Sequence, residues 1–286
     1  MGKIQNIITA GDKILYNAPL RLIDGAKTAE LLIYAALVEL FKDVEITGGV
    51  LSSTPKAEEF LASLDYRIFQ ALRKSGYGDS VKQFIGSFDQ ITDNVKDLHS
   101  ALGNGDITSK ALNEIKRIES ANAVDNLTEK GLYKDVIAPI RKDLYRNILH
   151  GAGLDETEAM IRSYVISTEG SDSKMVKYIN QIATDAIHQY DGSINQSTKD
   201  RLKLNAVQYV GSIIEDSRAQ CQKWTDGKII KDEDLKREID FATKGGYYLK
   251  RKCSGMIPGT EPNNFCILRG GYRCRHRAIP IRIVKK

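Results

Sequence analysis

Four cysteines and one histidine near the C-terminal end are the residues best suited to chemistry. Cys221, Cys253, Cys266 and Cys274 all lie in the last 66 residues, and the first 220 residues contain none. If the chain around Cys274-Arg-His276 is extended, the thiol and the imidazole share one face, because side chains alternate along a strand. Thiolate and imidazole are ligands of tetrahedral zinc, although the Cys-x-x-Cys spacing of zinc knuckles is missing. Three alternatives stay open: a structural zinc held by residues of this set, free buried cysteines, or disulfides.

The same segment is rich in arginine. In "RGGYRCRHRAIPI" (269–281), an extended chain would place Arg273, Arg275 and Arg277 on the face opposite the thiol and the imidazole. From residue 246 onward the chain carries ten basic residues against one acid, a charge of +9, whereas residues 1–245 carry −4. Such a segment suits the phosphates of nucleic acid or an acidic protein surface. The candidate residues for this contact are Arg269, Arg273, Arg275, Arg277, Arg282, Lys285 and Lys286.

Cysteine and histidine could also form a nucleophile and its base. Cys221 or Cys274 could act in this way with His276 or His188 as the base, but the local signatures of cysteine proteases are missing. No glycine-rich phosphate-binding loop follows a predicted strand. His99 lies in a predicted helix, where a surface or capping role is expected. The sequence therefore predicts a protein that works by binding and is not an enzyme.

Most of the chain ahead of these residues has the pattern of amphipathic helices. Thr54 and Pro55 predict a helix start, and a heptad seam over 81–102 ends at "GNGD" (103–106). Further helices are predicted at about 108–120, 133–150, 155–168 and 172–190, the last one ended by Asp191-Gly192. No internal repeat of fixed period is present, which argues against a solenoid.

The pattern changes after about residue 206. "AVQYVGSI" (206–213) predicts a strand, the Asp-Gly pair in "TDGKII" (225–230) predicts a hairpin turn, and 232–242 predicts a short helix. Trp224 is expected to anchor the core of this region. The predicted class is mainly α, with a helical N-terminal body (1–206) followed by a small α+β C-terminal module (207–286) that contains all four cysteines.

Nothing in the sequence predicts a membrane protein. The most apolar window, 29–41, is thirteen residues long and contains Glu30 and Glu39, whereas a spanning helix needs about 20 apolar residues. The N-terminus lacks the apolar segment of a secretory signal, so synthesis in the cytoplasm and reduced thiols are expected.

Two C-terminal stretches carry a resemblance to a known family. "YVGSIIEDSRAQCQKWTDGKIIKDEDL" (209–235) and "GGYRCRHRAIPI" (270–281) together resemble the C-terminal signature of phage head morphogenesis proteins, the Mu F-like minor head proteins. The matching positions are Ser217, Arg218, Cys221, Gly227, Lys228, Gly270, Gly271, Tyr272, Cys274, Arg275 and His276. The chain departs from the family at Gln220 and at Arg277-Ala278, where relatives carry aromatic residues, and Cys253 and Cys266 are not part of the pattern.

The resemblance implies a minor structural protein of a tailed-phage virion. Such a protein is made in the bacterial host cytoplasm and lies in the head interior or at the portal vertex, in several copies around the portal. Its partners would be the portal protein, other capsid proteins and packaged double-stranded DNA. Arg218 is expected to organise the "SRAQC" turn by a salt bridge or a capping contact. A zinc-stabilised nucleic-acid-binding regulator, with 207–286 as its recognition module, stays open as an alternative.

Overall fold

The structure is a computed structural model, and it describes residues 2–41, 46–47, 49–51, 53–105, 108–227 and 229–284. Helices make up 71% of it, and a few strands form a small sheet region near the C-terminus. The prediction of a mainly α protein is confirmed. None of the described helices is long and apolar enough to cross a membrane.

Helices and strands follow one another along the chain in this order: α1 (Lys3–Phe41), β1 (Ile46–Thr47), β2 (Val50–Leu51), α2 (Pro55–Lys74), α3 (Tyr77–Ala101), α4 (Ser109–Leu127), α5 (Glu129–Leu132), a π-helical turn (Tyr133–Ile137), α6 (Ala138–His150), α7 (Leu154–Val165), α8 (Lys174–Leu202), β3 (Ala206–Val210), α9 (Ala219–Gly227), β4 (Ile229–Lys231), α10 (Asp232–Thr243), β5 (Tyr247–Tyr248), β6 (Arg251–Lys252), a 3-10 turn (Pro262–Asn264), α11 (Phe265–Leu268) and β7 (Arg277–Ile281).

Local signals place several helix boundaries correctly. The Thr54 hydroxyl accepts the backbone N–H of Ala57 at 3.3 Å, and Pro55 is the first residue of α2. The predicted seam of α3 is buried along its length, at Val81, Phe84, Phe88, Ile91, Val95 and Leu98. The helix ends at Ala101, two residues before the predicted stop at 103–106. These elements are determined by caps and periodicity close to them in sequence.

The predicted end of α8 at Asp191-Gly192 is wrong. The helix continues to Leu202, and both residues lie inside it. A Cβ atom on Gly192 would lie 2.2 Å from the carbonyl oxygen of Cys266, so the glycine allows the backbone near α11 to approach the helix closely. Asp191 is buried and pairs with Arg277, 86 residues further along the chain. Both residues therefore serve tertiary contacts and do not terminate the helix.

The predicted hairpin turn at Asp226-Gly227 is also wrong. These two residues end α9, and β4 begins two residues after Gly227. Strand β4 still pairs antiparallel with β3, with Val207 opposite Ile230. On its other side β3 pairs antiparallel with β7, with Tyr209 opposite Ala278. The result is a three-stranded sheet in the order β4-β3-β7, with the predicted strand β3 at its centre.

Only part of the C-terminal arginine segment is extended. Strand β7 begins at Arg277, and turns lie ahead of it, with positive φ angles at Arg269 (45°) and Arg273 (55°). The expectation of one continuous strand with an arginine face is therefore wrong for residues 269–276. Within this stretch Cys274 and His276 are nevertheless both buried, whereas Tyr272 is exposed.

Contacts divide the chain into two compact units. One consists of residues 1–17, 86–120 and 184–286, and the other of 18–85 and 121–183. The predicted boundary between 206 and 207 does not coincide with this division. The segment from 207 onward shares its unit with earlier parts of the chain because β7 packs on helices there. Ile279 forms a buried cluster with Ile8 and Leu98.

The first unit also contains the main core of the C-terminal region. Trp224 is 2% exposed, which confirms the prediction that it anchors this core. Its ring meets those of Tyr209 and Phe265 edge to face, with centroids 5.3 and 5.2 Å away. All four cysteines belong to the same buried cluster.

Candidate metal centre

A thiol pair and an imidazole come together beside the three-stranded sheet. Cys221 lies in the first turn of α9, and Cys274 and His276 lie just ahead of β7. The two sulfur atoms are 3.8 Å apart, and Cys274 Sγ is 3.8 Å from His276 Nδ1. The three donor atoms all lie within 4.8 Å of one another. The cluster could therefore hold a metal ion, because soft sulfur and nitrogen donors at this separation suit one cation.

Only three of the five predicted ligands belong to this cluster. Cys253 and Cys266 are buried elsewhere in the same core, and they do not join Cys221, Cys274 and His276 among the described residues. All four cysteines are free thiols. Burial raises the pKa of Cys253, and it raises the pKa of Cys266 to about 12, so both behave as small apolar core residues. The prediction that they are metal ligands is wrong for this structure, because packing holds them away from the cluster.

The two clustered thiols influence each other. The hydrogen bond with Cys221 lowers the pKa of Cys274, burial opposes this, and the hydrogen bond with His276 lowers the pKa further. The pKa of Cys221 is raised, first by its hydrogen bond to Cys274 and then by burial. Burial also holds the pKa of Tyr209, whose hydroxyl contacts both sulfur atoms, well above its usual range. Of the two thiols, Cys274 is thus the one that loses its proton more readily.

Arg218 and Gln220, which precede Cys221, bind the backbone of the turn at Gly270-Gly271 in the second signature stretch. The Arg218 guanidinium donates to the carbonyl oxygens of Gly270, at 3.4 Å, and of Tyr272. Gln220, which is fully buried, donates to the carbonyls of Gly270 (3.2 Å) and Ser254 (2.7 Å). Arg218 therefore organises the distant turn that leads to Cys274, and not the predicted turn around itself.

Both glycines of this turn are required, because other atoms of the protein lie where a Cβ atom would be. A Cβ on Gly270 would lie 2.3 Å from the sulfur of Cys221 and 3.0 Å from that of Cys274. Gly271 has a φ of +103°, and a Cβ there would lie 1.8 Å from the carbonyl oxygen of Gly255. Any side chain at either position would push the turn away from the cluster.

The remaining signature residues are less directly involved. Ser217 is buried, and its hydroxyl accepts the backbone N–H of Ile214 at 2.9 Å. Gly227 ends α9, and a Cβ there would meet nothing within 4 Å. Tyr272 is 46% exposed. Lys228, Lys285 and Lys286 lie outside the described residues.

The predicted contact arginines fall into two groups. Arg273, Arg275 and Arg282 are exposed, and the Arg275 guanidinium lies 5.9 Å from the ring centroid of the exposed Tyr16. Arg269 is 2% exposed and Arg277 is fully buried. The prediction that Arg269 and Arg277 contact DNA or a partner is therefore wrong, because neither side chain reaches the surface.

The two buried arginines instead bind polar groups inside the first unit. Arg277 donates to both carboxylate oxygens of Asp191, at 2.7 and 3.2 Å, and to Asn94 Oδ1 at 3.3 Å. Asp12 Oδ1 lies 3.9 Å from Arg277 Nη1. Arg269 donates to the backbone carbonyls of His188 and Cys274. These contacts join β7 and the preceding turn to α8.

Tyr209 and Asp191 are site residues that the sequence did not predict. Tyr209 follows Val207 by two residues in a predicted strand, a spacing that places both side chains on one face. It could not indicate that the face meets the cysteines. The sequence did not indicate that Asp191 is a buried ion-pair partner, because an Asp-Gly pair is typical of a turn. The predicted surface or capping role of His99 is wrong: its side chain is buried, with Nε2 3.1 Å from Asn195 Oδ1.

Comparisons with known proteins add no relative: no family model, curated protein or solved structure matches this chain. The chemistry of the site is therefore interpreted from its own contacts. A buried pair of thiols with an adjacent imidazole can bind a soft cation, and the exposed arginines nearby can bind anions.

Proposed function

We propose that this chain is a minor head protein of a tailed-phage virion, which binds the portal or inner capsid and packaged DNA without catalysis. The observation that supports this most directly is the meeting of the two signature stretches. Arg218 binds the carbonyls of Gly270 and Tyr272, and Cys221 contacts Cys274. Residues that carry the resemblance thus form one contact network. This is expected if the signature residues stabilise a fold that binds partner proteins.

Burial of the thiols and imidazole favours binding over catalysis. Cys221, Cys274 and His276 are 2%, 3% and 4% exposed. A nucleophile and its base must reach a substrate carbon, so a pair enclosed by the core has no access to one. The same burial suits a site whose role is to hold elements together.

A structural zinc is the metal that we propose for this cluster. Two thiolates bonded to zinc at about 2.3 Å in tetrahedral geometry lie about 3.8 Å apart, and a thiolate and an imidazole nitrogen lie about 3.6 Å apart. The corresponding distances here are both 3.8 Å. Two thiolates would also neutralise the charge of Zn²⁺, which lowers the cost of burying the ion. The zinc would tie α9 to the turn before β7.

Metal analysis of single cysteine variants tests this proposal. The protein is purified without added metal, and its zinc content is measured by elemental analysis. We expect about one zinc per chain in the wild type, and loss of it in Cys221→Ser and Cys274→Ser. Cys266→Ser is the matched control, because it removes an equally buried thiol of the same core outside the cluster. A wild type that lacks zinc and whose melting temperature is unchanged by added zinc would contradict the proposal.

The exposed arginines are the candidates for DNA contact. Binding of random-sequence duplex is measured over a salt series for the wild type and for Arg273→Gln/Arg275→Gln. Each lost phosphate contact should reduce the slope of log K against log salt by about 0.9. The matched control is Arg117→Gln/Arg237→Gln, which removes two exposed arginines from helices elsewhere in the same unit. Equal slopes for both double variants would remove DNA contact from the proposal.

The assembly role is tested separately. The chain is co-expressed with the portal protein encoded in the same genome, and the mixture is separated by size. Co-elution in a defined complex supports a minor head protein. A chain that elutes alone and binds one DNA sequence far more tightly than random duplex would instead identify the zinc-stabilised regulator.

A further inference from the structure

We propose that the hydroxyl oxygen of Tyr209 is the fourth donor of the metal site, so that two thiolates, one imidazole and one phenol oxygen enclose the ion. This inference rests on the structural zinc proposed above. It adds a residue that the two signature cysteines and the histidine do not predict, and it converts an incomplete three-donor set into a closed one.

The position of the Tyr209 hydroxyl fits the fourth coordination position of a tetrahedral site. Tyr209 Oη lies 3.2 Å from Cys274 Sγ and 3.5 Å from Cys221 Sγ. In a tetrahedral zinc site, a sulfur and an oxygen donor lie about 3.5 Å apart. Together with the two separations of 3.8 Å among the thiols and the imidazole, four donor–donor distances lie within about 0.3 Å of the tetrahedral values.

Other side chains are poorly placed to occupy this fourth coordination position. Among the described residues, no further histidine, cysteine or carboxylate joins the cluster. Tyr209 is 1% exposed, and Cys221, Cys274 and His276 are 2%, 3% and 4% exposed, so protein atoms enclose all four donors. Structural zinc sites are closed by four protein donors, whereas catalytic sites keep one position open.

Packing holds the phenol in place. Its ring stacks on that of His276, with centroids 5.4 Å apart and planes 17° apart, and it meets Trp224 edge to face. Tyr209 lies on the central strand of the sheet, which is paired with β7 at this position. A donor fixed in this way loses little side-chain freedom when it binds, which favours coordination.

Cobalt substitution and affinity measurements test the assignment of Tyr209. Tyr209→Phe removes only the oxygen atom, and Tyr190→Phe is the matched control, because it removes a buried hydroxyl of the same unit that bonds Thr92 instead. With Co²⁺ as the probe, we expect the wild type and Tyr190→Phe to give the intense visible bands of a four-coordinate site. Tyr209→Phe should give weaker, shifted bands and bind zinc about 10- to 100-fold more weakly in chelator competition.

The results separate this inference from the proposal on which it rests. A wild type that binds neither Co²⁺ nor zinc overturns both. Metal binding with unchanged bands and affinity in Tyr209→Phe overturns only the role of Tyr209. If Tyr209→Phe does not fold, X-ray absorption of the zinc-bound wild type decides: two sulfur and two lighter donors support the inference, and three or four sulfur donors overturn it.

Discussion

Replacing Arg277 should destabilise the protein far more than replacing any exposed arginine of the same segment. In Arg277→Met the side chain keeps its apolar stem but loses the guanidinium that binds Asp191 at 2.7 and 3.2 Å. Asp191 is 1% exposed, and among the described residues its carboxylate would keep only the hydrogen bond that Asn195 Nδ2 donates to Oδ2 at 3.3 Å. Asn94 Oδ1 would also lose a donor. A buried charge left without its partner costs about 3–5 kcal/mol, and this is the loss of unfolding free energy that we expect.

Urea unfolding followed by tryptophan fluorescence measures this loss directly. Trp224 is the only tryptophan of the chain and is buried in the same unit. Arg275→Met is the matched control: its guanidinium is exposed, so the expected change is within about 0.5 kcal/mol. Because a buried pair replaced as a whole by apolar residues is often nearly neutral, Arg277→Met/Asp191→Leu should recover about 2 kcal/mol or more of the loss.

DNA binding provides a second readout for the same variant. A folded Arg277→Met should keep the wild-type salt slope, since its guanidinium does not reach the surface. The interpretation of Arg277 as a buried structural charge is refuted if Arg277→Met loses no more stability than Arg275→Met, or if it loses phosphate contacts.

Three further outcomes follow from buried groups. Burial lowers the pKa of both His99 and His188, so the folded state disfavours their protonated forms. The stability that these neutral histidines contribute should be complete above the ordinary histidine pKa of about 6.5, and it should fall as the pH drops below that value. When the melting temperature is measured from about pH 7.5 to 5, it should fall less in His99→Gln than in the wild type. Gly192→Ala should cost about 1–3 kcal/mol by chemical unfolding, because its Cβ would overlap the backbone, whereas Gly86→Ala, a helix position with open space, should gain about 0.5–1 kcal/mol. Cys266, with its pKa raised to about 12, should react with iodoacetamide at pH 8 only when urea unfolds the chain, and fast labelling of the folded protein at Cys266 would contradict its burial.

The sequence by itself determined the features that depend on neighbouring residues. The cap at Thr54 and the apolar seam of α3 required only signals within a few turns of each helix. The pairing of Cys274 with His276 followed from a spacing of two residues, and the strand character of 206–210 from its β-branched and aromatic composition. The mainly α class followed from the sum of such local patterns.

Tertiary structure decided which of these residues act together. Arg275 and Arg277 have the same side chain and adjacent positions in the pattern, yet one is exposed and the other is buried against Asp191. Asp191 and Gly192 have the local sequence of a turn, but both lie inside α8 and contact partners 74 or more residues away. Cys221 and Tyr209 meet Cys274 only because α9 and β3 pack beside the same turn. The physical reason is that caps and periodicity report on interactions within about one helical turn, whereas burial depends on which distant surfaces the folded chain brings into contact.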